Sequence, residues 1–168
     1  CNMPKMKSII DNSSIALMNT RASGGNSEFK SYATLGWGTR AEAAQNTSTF
    51  YHLEEETIGI YERRTGDILN KEGIVNTNIN KLIQQNDKGE YGAFPGALGY
   101  LLRKNGYKTA VIGNSDIEDQ ESRAIGFIAM DNKGYIDDGN VSNELIVEDY
   151  YSPFGIKTNY DQLLNSFL

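Results

Sequence analysis

The chain has 168 residues, of which 39% are hydrophobic and 23% are charged, and its net charge is -6. This length allows one domain with a buried core, and no apolar run approaches the ~20 residues that span a bilayer. Nucleic-acid phosphates are bound by clustered lysine and arginine; no basic block occurs here, so we expect no nucleic-acid partner. A single cysteine and a single histidine exclude an internal disulfide and a Cys/His zinc cluster.

The two ends of the sequence indicate a piece of a longer protein. The chain opens at Cys1, without an initiator methionine, and closes at Leu168 inside a helical pattern that has no cap. We therefore expect residues 1–168 to form a single α/β domain of a longer chain. Any targeting segment would lie outside these residues, so the compartment and the oligomeric state stay open.

Hydrophobic spacing and turn residues predict the elements in chain order. The first half is predicted to contain a helix at 4–10, a strand at 14–19, a central helix at 27–35 that ends at residues 36–38, one or two helices within 50–65, a strand at 73–76 and a helix at 78–85. The second half is predicted to contain a helix at 95–106, a buried strand at 108–113, a hairpin formed by 125–131 and 135–136, a turn at 137–140, a strand at 145–147, a loop at 152–155 and a helix from 159. A helix followed by a glycine and an apolar strand is an α/β unit, so the predicted fold class is α/β.

A glycine-rich turn leads into the central helix. It comprises Gly24, Gly25, Asn26 and Ser27, and Glu28 follows in the first helical turn, where the helix dipole favours negative charge. Asn26 or Ser27 suits a helix cap, because a short side-chain oxygen accepts a free backbone N–H. A hydroxyl behind such a turn is also a position where an anion or a nucleophile is stabilised. Spacing alone leaves both interpretations open.

Three stretches in this order resemble the amino-terminal portion of the alkaline phosphatase superfamily, in its sulfatase, phosphoglycerate mutase and lipoteichoic acid synthase-like branch. Residues 3–19 are similar to the family's first helix and strand, and residues 27–36 are similar to its nucleophile helix. Residues 98–113, LGYLLRKNGYKTAVIG, are similar to a helix and strand of the family with the pattern Leu-Leu-Lys-x-x-Gly-Tyr-x-Thr-Ala-x-x-Gly. The resemblance implies a three-layer alkaline phosphatase-like core, incomplete in these residues.

The resemblance also implies a hydrolase or transferase that acts on a phosphoric or sulfuric ester of a small molecule or a polymer. In that family two divalent metals, Zn or Mn, bind and activate a hydroxyl or thiol residue at the helix start. Counting back nine residues from Gly36 places this nucleophile, which is also a metal ligand, at Ser27. Alignment on the acidic and aromatic pair after Ser27 instead places it at Gly24, with Ser23 as the nearest hydroxyl.

The resemblance assigns substrate-side roles near this nucleophile. Gly24, Gly25 and Asn26 would contribute amides near the anion. Arg40 would either clamp the phosphate or form a salt bridge.

Asn114, Ser115 and Asp116 stand at the carboxyl end of the predicted strand at 108–113. Ligands bind at strand carboxyl ends in open α/β sheets, so Asn114 and Asp116 are candidate substrate-binding residues; the alternative is a polar loop without a chemical role. Sulfatases carry Lys-Trp-His at this point, and its replacement here argues against a sulfatase.

The family's metal-binding aspartate and its Asp/His cluster have no counterpart in these residues. We therefore expect the isolated chain to be inactive and to bind no metal tightly. Related proteins of this branch imply an extracytoplasmic or cell-surface location. The alternatives are a non-catalytic binding or interaction domain of the same fold and an unrelated α/β binding module.

Overall fold

The computed structural model describes residues 3–14, 21–69, 72–118 and 120–168. Within these ranges the chain is mixed α/β, as predicted, with seven α-helices and seven short strands. The helices are α1 (Pro4–Asp11), α2 (Glu28–Trp37), α3 (Glu55–Thr65), α4 (Ile79–Asp87), α5 (Ala97–Lys104), α6 (Gly126–Ala129) and α7 (Tyr160–Phe167). The strands are β1 (Phe50–His52), β2 (Ile74–Asn76), β3 (Ala110–Ile112), β4 (Tyr135–Ile136), β5 (Asp138–Asn140), β6 (Ile146–Glu148) and β7 (Ile156–Thr158).

The described strands form three small sheets. β1, β2 and β4 make an antiparallel sheet in the order β1-β2-β4, in which Val75 lies opposite both Tyr51 and Tyr135. β3 and β5 pair in parallel, with Val111 opposite Gly139, and β6 and β7 form an antiparallel hairpin. Because these sheets have only two or three strands each, the three-layer alkaline phosphatase-like core stays a prediction.

A cluster of buried apolar side chains joins the antiparallel sheet to the surrounding helices. Phe127 of α6 lies edge-on to Trp37 of α2 at a ring-centroid distance of 5.9 Å and to Phe50 of β1 at 5.4 Å. The Trp37 indole N–H donates a 3.0 Å hydrogen bond to the Phe127 carbonyl, so this buried donor is paired. These contacts fix α2 against the core and thereby set the position of its amino end.

Gly36 lies inside α2, although the sequence predicted that it ends the helix. The helix continues to Trp37 and ends at Gly38, whose φ of 72° is the left-handed conformation that glycine tolerates. A Cβ at Gly36 would lie 2.5 Å from the Phe127 carbonyl oxygen. Gly36 therefore allows α2 and α6 to approach closely, and Gly38 alone ends the helix.

Most of the predicted elements are confirmed, with boundaries that differ by a few residues. They are the helices at 4–10, 27–35, 78–85, 95–106 and from 159, the strands at 73–76, 108–113 and 145–147, and the loop at 152–155. The strand at 108–113 was expected to be buried, but within β3 only Val111 is buried; among the described strands β3 pairs with β5. The strand predicted at 14–19 lies outside the described residues apart from Ser14.

Three predictions are wrong in whole or in part, each because tertiary packing decides the local structure. The helix predicted within 50–65 is confirmed by α3, but the region begins with β1, because Phe50 is buried and β1 pairs with β2. The hairpin predicted from 125 to 136 begins with α6, and its second half, β4, pairs with β2 instead. The turn predicted at 137–140 contains β5, because Gly139 lets the chain run beside β3, where a Cβ would overlap the carbonyl oxygen opposite.

Candidate functional site

A cleft lies at the carboxyl end of β3. It consists of two adjoining cavities of about 230 and 420 Å³ that share the lining residues Glu28, Asn114, Ser115, Ser122 and Thr158. Its walls are the first turn of α2, the loops that follow β3 and precede α6, and the β6–β7 hairpin. We call this feature the β3 cleft, and its place is the one at which open α/β sheets bind ligands.

Asn114 organises the loop that leaves β3. Its side-chain oxygen accepts a 2.7 Å hydrogen bond from the Asp116 backbone N–H. Its amide nitrogen donates to the Val141 carbonyl at 3.0 Å and to the Asn143 side chain at 3.1 Å. The Asn114 side chain thus joins the loop to the segment after β5, which agrees with the polar-loop alternative for this residue.

Asp116 forms an ion pair with Arg123. The Arg123 Nη2 and Nε atoms donate to Asp116 Oδ2 at 2.8 and 3.1 Å, and the Ser122 backbone N–H donates to Asp116 Oδ1 at 2.6 Å. Arg123 is only 8% exposed, and its Nη1 donates to the Phe50 carbonyl at 2.9 Å. Because Arg123 binds both the β3 loop and β1, it fixes one wall of the β3 cleft. The Asp116 carboxylate is therefore engaged in holding the cleft together.

An aromatic ring covers the Arg123 guanidinium. Arg123 Cζ lies 4.9 Å from the centroid of the Tyr51 ring, and the Tyr51 hydroxyl is hydrogen-bonded to Glu121. Burial, together with the Glu121 carboxylate, raises the pKa of Tyr51 to about 12. Tyr51 is thus a neutral donor that shields the ion pair from solvent.

Ser27 caps α2, as the sequence allowed. Its Oγ accepts a 3.3 Å hydrogen bond from the Lys30 backbone N–H, and its carbonyl accepts from the Ser31 hydroxyl at 2.7 Å. A hydroxyl that accepts one hydrogen bond keeps its own proton and a second lone pair. The Ser27 hydroxyl can therefore cap the helix and still interact with another group. Ser27 does not line the β3 cleft, whereas Glu28, the next residue, lines both of its cavities.

The turn before Ser27 has the backbone conformation that its glycines allow. Gly24 and Gly25 have φ values of 58° and 128°, in the region that side chains disfavour. The Asn26 side-chain oxygen accepts a 3.2 Å hydrogen bond from the Ala22 N–H, which closes the turn on itself. Gly24, Gly25 and Asn26 therefore shape the approach to α2, and none of them lines the β3 cleft.

A lysine that the sequence did not single out lies over this turn. Lys30 Nζ donates to the Ser23 carbonyl at 2.8 Å and forms an ion pair with Glu42 Oε2 at 2.9 Å. Burial raises the pKa of Glu42, but hydrogen bonds from Ser23 and Lys30 and the Lys30 charge outweigh it and lower the pKa overall. The ammonium beside Gly24 is thus balanced by an ionised carboxylate.

Arg40 lies apart from the β3 cleft. Its Nη1 donates a 2.9 Å hydrogen bond to the Tyr91 hydroxyl, and its Cζ lies 5.2 Å from the centroid of the Tyr91 ring. In the part of the chain that the structure describes, the partner of Arg40 is therefore an aromatic residue rather than the carboxylate that a salt bridge requires. Among the predicted site residues, the structure brings together only Asn114 and Asp116 in the cleft.

Two polar residues of the cleft were missed by the sequence analysis. The Ser122 hydroxyl donates a 3.0 Å hydrogen bond to Glu28 Oε1 across the cleft, from a residue 94 positions away in the chain. Glu28 was interpreted only as a residue that suits the helix dipole, and Ser122 follows no recognisable pattern. Only the tertiary fold joins them.

The described residues do not form a metal cage. Within residues 3–14, 21–69, 72–118 and 120–168 no group of three or more His, Cys, Asp or Glu side chains could hold a metal ion. Ser27 with Glu28 alone does not supply the ligand set that Zn or Mn requires.

Comparison with family models, with curated proteins and with solved structures finds no match to this chain. In the part of the chain that the structure describes, every helix is too short or too polar to cross a membrane.

Proposed function

We propose that this chain is part of a metal-dependent phosphoric or sulfuric ester hydrolase or transferase of alkaline phosphatase-like type, with Ser27 as the attacking residue. The observation that carries the proposal is the position of the Ser27 hydroxyl. It lies at the amino end of α2, behind the glycine turn and next to Glu28 of the β3 cleft. The amino end of a helix favours the negative charge of a phosphoryl or sulfuryl group.

In this proposal Ser27 Oγ attacks the phosphorus or sulfur atom and forms a covalent ester as the bond to the substrate's alcohol breaks, and the alcohol leaves with the proton of the serine hydroxyl. Water, or a second alcohol in a transferase, then takes the group from Ser27 and returns a proton to the serine oxygen. Gly24 and Gly25 leave room for the anion to approach the backbone. The Lys30 ammonium lies 3.7 Å from the position that a Cβ of Gly24 would take, and Oε1 of its ion-pair partner Glu42 lies 3.6 Å from the same point, so the pair offers the anion a hydrogen-bond donor without net positive charge. Zn or Mn, implied by the resemblance alone, would need ligands beyond those described above.

A second candidate is a non-catalytic binding or interaction domain. The observation that favours it is that the candidate site residues have structural partners. Ser27 caps a helix, Asn26 closes a turn, Arg40 binds Tyr91, and Asn114 and Asp116 hold the wall of the β3 cleft.

Substitution of Ser27 by asparagine separates the cap from the nucleophile, because asparagine caps a helix as well as serine but has no hydroxyl. We expect the full-length protein with Zn²⁺ or Mn²⁺ to hydrolyse p-nitrophenyl phosphate, bis(p-nitrophenyl) phosphate or p-nitrophenyl sulfate. Ser27→Asn should abolish this hydrolysis while thermal unfolding stays at the wild-type temperature. Ser27→Ala, by contrast, should also lose about 1 kcal/mol of stability with the cap.

The matched control is Ser31→Ala, which removes a neighbouring hydroxyl of the same helix and should keep turnover. Hydrolysis that survives in Ser27→Asn would remove Ser27 from the mechanism. A wild-type protein that hydrolyses none of the three esters would favour the binding-domain alternative.

A further inference from the structure

Among the residues that the structure describes, one carboxylate that lines the β3 cleft, that of Glu28, has no ion-pair partner. Asp116 is paired with Arg123 at 2.8 Å, and Lys157 lies 3.7 Å from Asp149. Glu28 is the remaining charged residue among the lining, and its described hydrogen-bond partner is the neutral Ser122 hydroxyl at 3.0 Å. An ionised carboxylate accepts hydrogen bonds and repels anions, so the cleft favours ligands that donate hydrogen bonds.

The other polar groups of the cleft are neutral and can both donate and accept hydrogen bonds. They are the hydroxyls of Ser115, Ser122 and Thr158 and the amides of Gln45 and Gln120. A hydroxyl both donates and accepts, and an amide offers both a donor and an acceptor. Such a set matches a ligand with several hydroxyl groups better than a simple ammonium ion, for which carboxylates alone would serve.

The cleft also has an aromatic wall. Phe29 of α2 and Phe154 of the β6–β7 turn both line the larger cavity, and Phe154 is 71% exposed. The turn that carries Phe154 is held by backbone hydrogen bonds from Asp149 N–H to Gly155 at 2.8 Å and from Ser152 N–H to Asp149 at 3.0 Å. An exposed aromatic ring on a fixed turn offers an apolar face to the C–H side of a ligand.

We infer that the β3 cleft binds the neutral, hydroxyl-rich part of the substrate, a sugar or a polyol. This inference rests on the proposed function, because it takes the cleft as the part of the site that holds the ester's alcohol beside Ser27. The larger cavity, about 420 Å³, falls within the range of roughly 300–1,000 Å³ of small-molecule sites. The ester's anionic group would lie outside the cleft, on the side of the glycine turn, away from the Glu28 carboxylate.

Saturation-transfer NMR with three neutral probes, methyl glucopyranoside, myo-inositol and glycerol, tests the inference on the full-length protein. We expect saturable binding of at least one probe and weaker binding of tetramethylammonium, a cation without hydroxyl groups. Glu28→Gln should weaken binding roughly tenfold through the loss of a hydrogen bond to a charged acceptor. Phe154→Ala should weaken it by a similar factor, because the ring's contact area is lost.

Each variant has a matched control. Glu55→Gln makes the same charge change in the first turn of α3, and Phe167→Ala removes a ring of α7 that is 75% exposed and does not line the cleft. Both should bind the probe as the wild type does. Absence of binding for all three probes, equal effects in variants and controls, or a preference for tetramethylammonium would overturn the inference.

Probe binding tests this inference separately from the proposed function, because a neutral probe has no ester to cleave. Probe binding without hydrolysis by the wild type would overturn the proposed function alone. Hydrolysis that Ser27→Asn abolishes, without any probe binding, would overturn this inference alone.

Discussion

At the scale of single residues, the ion pair of Asp116 and Arg123 is shielded from solvent and holds one wall of the β3 cleft. Asp116→Ala would leave the buried guanidinium with only the exposed Glu121 carboxylate at 3.9 Å, so we expect the free energy of unfolding to fall by about 3 kcal/mol. Chemical denaturation measures this loss. The matched control is Asp67→Ala, which breaks the exposed pair of Asp67 and Lys133 and should cost less than about 1 kcal/mol. Equal losses in the two variants would contradict the account of this wall.

Two tyrosines, the half-buried Tyr51 and the buried Tyr61, set an upper pH limit to the stability of the fold. Burial raises the pKa of Tyr51 and of Tyr61 to about 12, with a further contribution from Glu121 for Tyr51 and from Asp67 for Tyr61. The unfolded chain releases these protons near pH 10.0, whereas the folded protein holds them to about 12. The associated stability is therefore complete below about pH 10 and is lost as the pH rises towards 12.

Tyrosinate absorbance measures this prediction, because ionisation of the ring changes its ultraviolet spectrum. Of the ten tyrosines, we expect a late-ionising class that loses one member in Tyr51→Phe. Tyr150→Phe, at a residue that is 92% exposed, should leave that class unchanged. A single ionisation step for all tyrosines of the folded protein would contradict the burial argument.

At the scale of elements, two helical glycines should respond to alanine with opposite signs. Gly59 of α3 has no neighbouring atom within 4 Å of the position of a Cβ, so Gly59→Ala should raise the free energy of unfolding by about 0.5–1 kcal/mol. Gly36 of α2 faces the α6 backbone, so Gly36→Ala should lower it by about 1–3 kcal/mol, because the helices must move apart. Urea denaturation compares the two variants. A gain of stability in Gly36→Ala would contradict the close approach of α2 and α6.

The elements that the sequence predicted are those whose signals are local. α7 follows the cap Asn159, whose side chain accepts a 3.2 Å hydrogen bond from Gln162 N–H, and α2 ends at a glycine with positive φ. α6 and β5 were missed because distant contacts decide them. A Cβ at Gly126 of α6 would lie 2.7 Å from the Phe50 ring, and Gly139 of β5 lies against β3. The local sequence pattern does not indicate such contacts between residues that are distant in the chain.

At the scale of the whole molecule, the candidate site was only partly predictable. The place of Asn114 and Asp116 follows from the rule that strand carboxyl ends carry ligand-binding loops, and the cleft lies there. Their partners were not predictable, because Arg123 reaches Phe50 across 73 positions of the chain and Ser122 reaches Glu28 across 94. The sequence pattern predicts which loop carries the polar side chains. Only the fold shows which of these side chains already have hydrogen-bond or ion-pair partners.

The proposed ester chemistry and the proposed binding of a sugar or polyol use adjacent parts of the molecule. The glycine turn, the Ser27 hydroxyl and the Lys30 ammonium lie at the amino end of α2, and the β3 cleft with Glu28 begins in the same helical turn. In the proposed site the anionic group of an ester would lie at the amino end of α2, which favours negative charge, and its hydroxyl-rich alcohol would lie in the cleft. Ser27 is therefore the residue expected to take up the anionic group.

Mass spectrometry of the acid-quenched full-length protein, after incubation with p-nitrophenyl phosphate or p-nitrophenyl sulfate and Zn²⁺ or Mn²⁺, tests this claim most directly. The account predicts one phosphoryl or sulfuryl group on the peptide that contains Ser27, and no such group in Ser27→Asn. Release of p-nitrophenol without modification of that peptide, or modification at Ser23 or another hydroxyl instead, would contradict it.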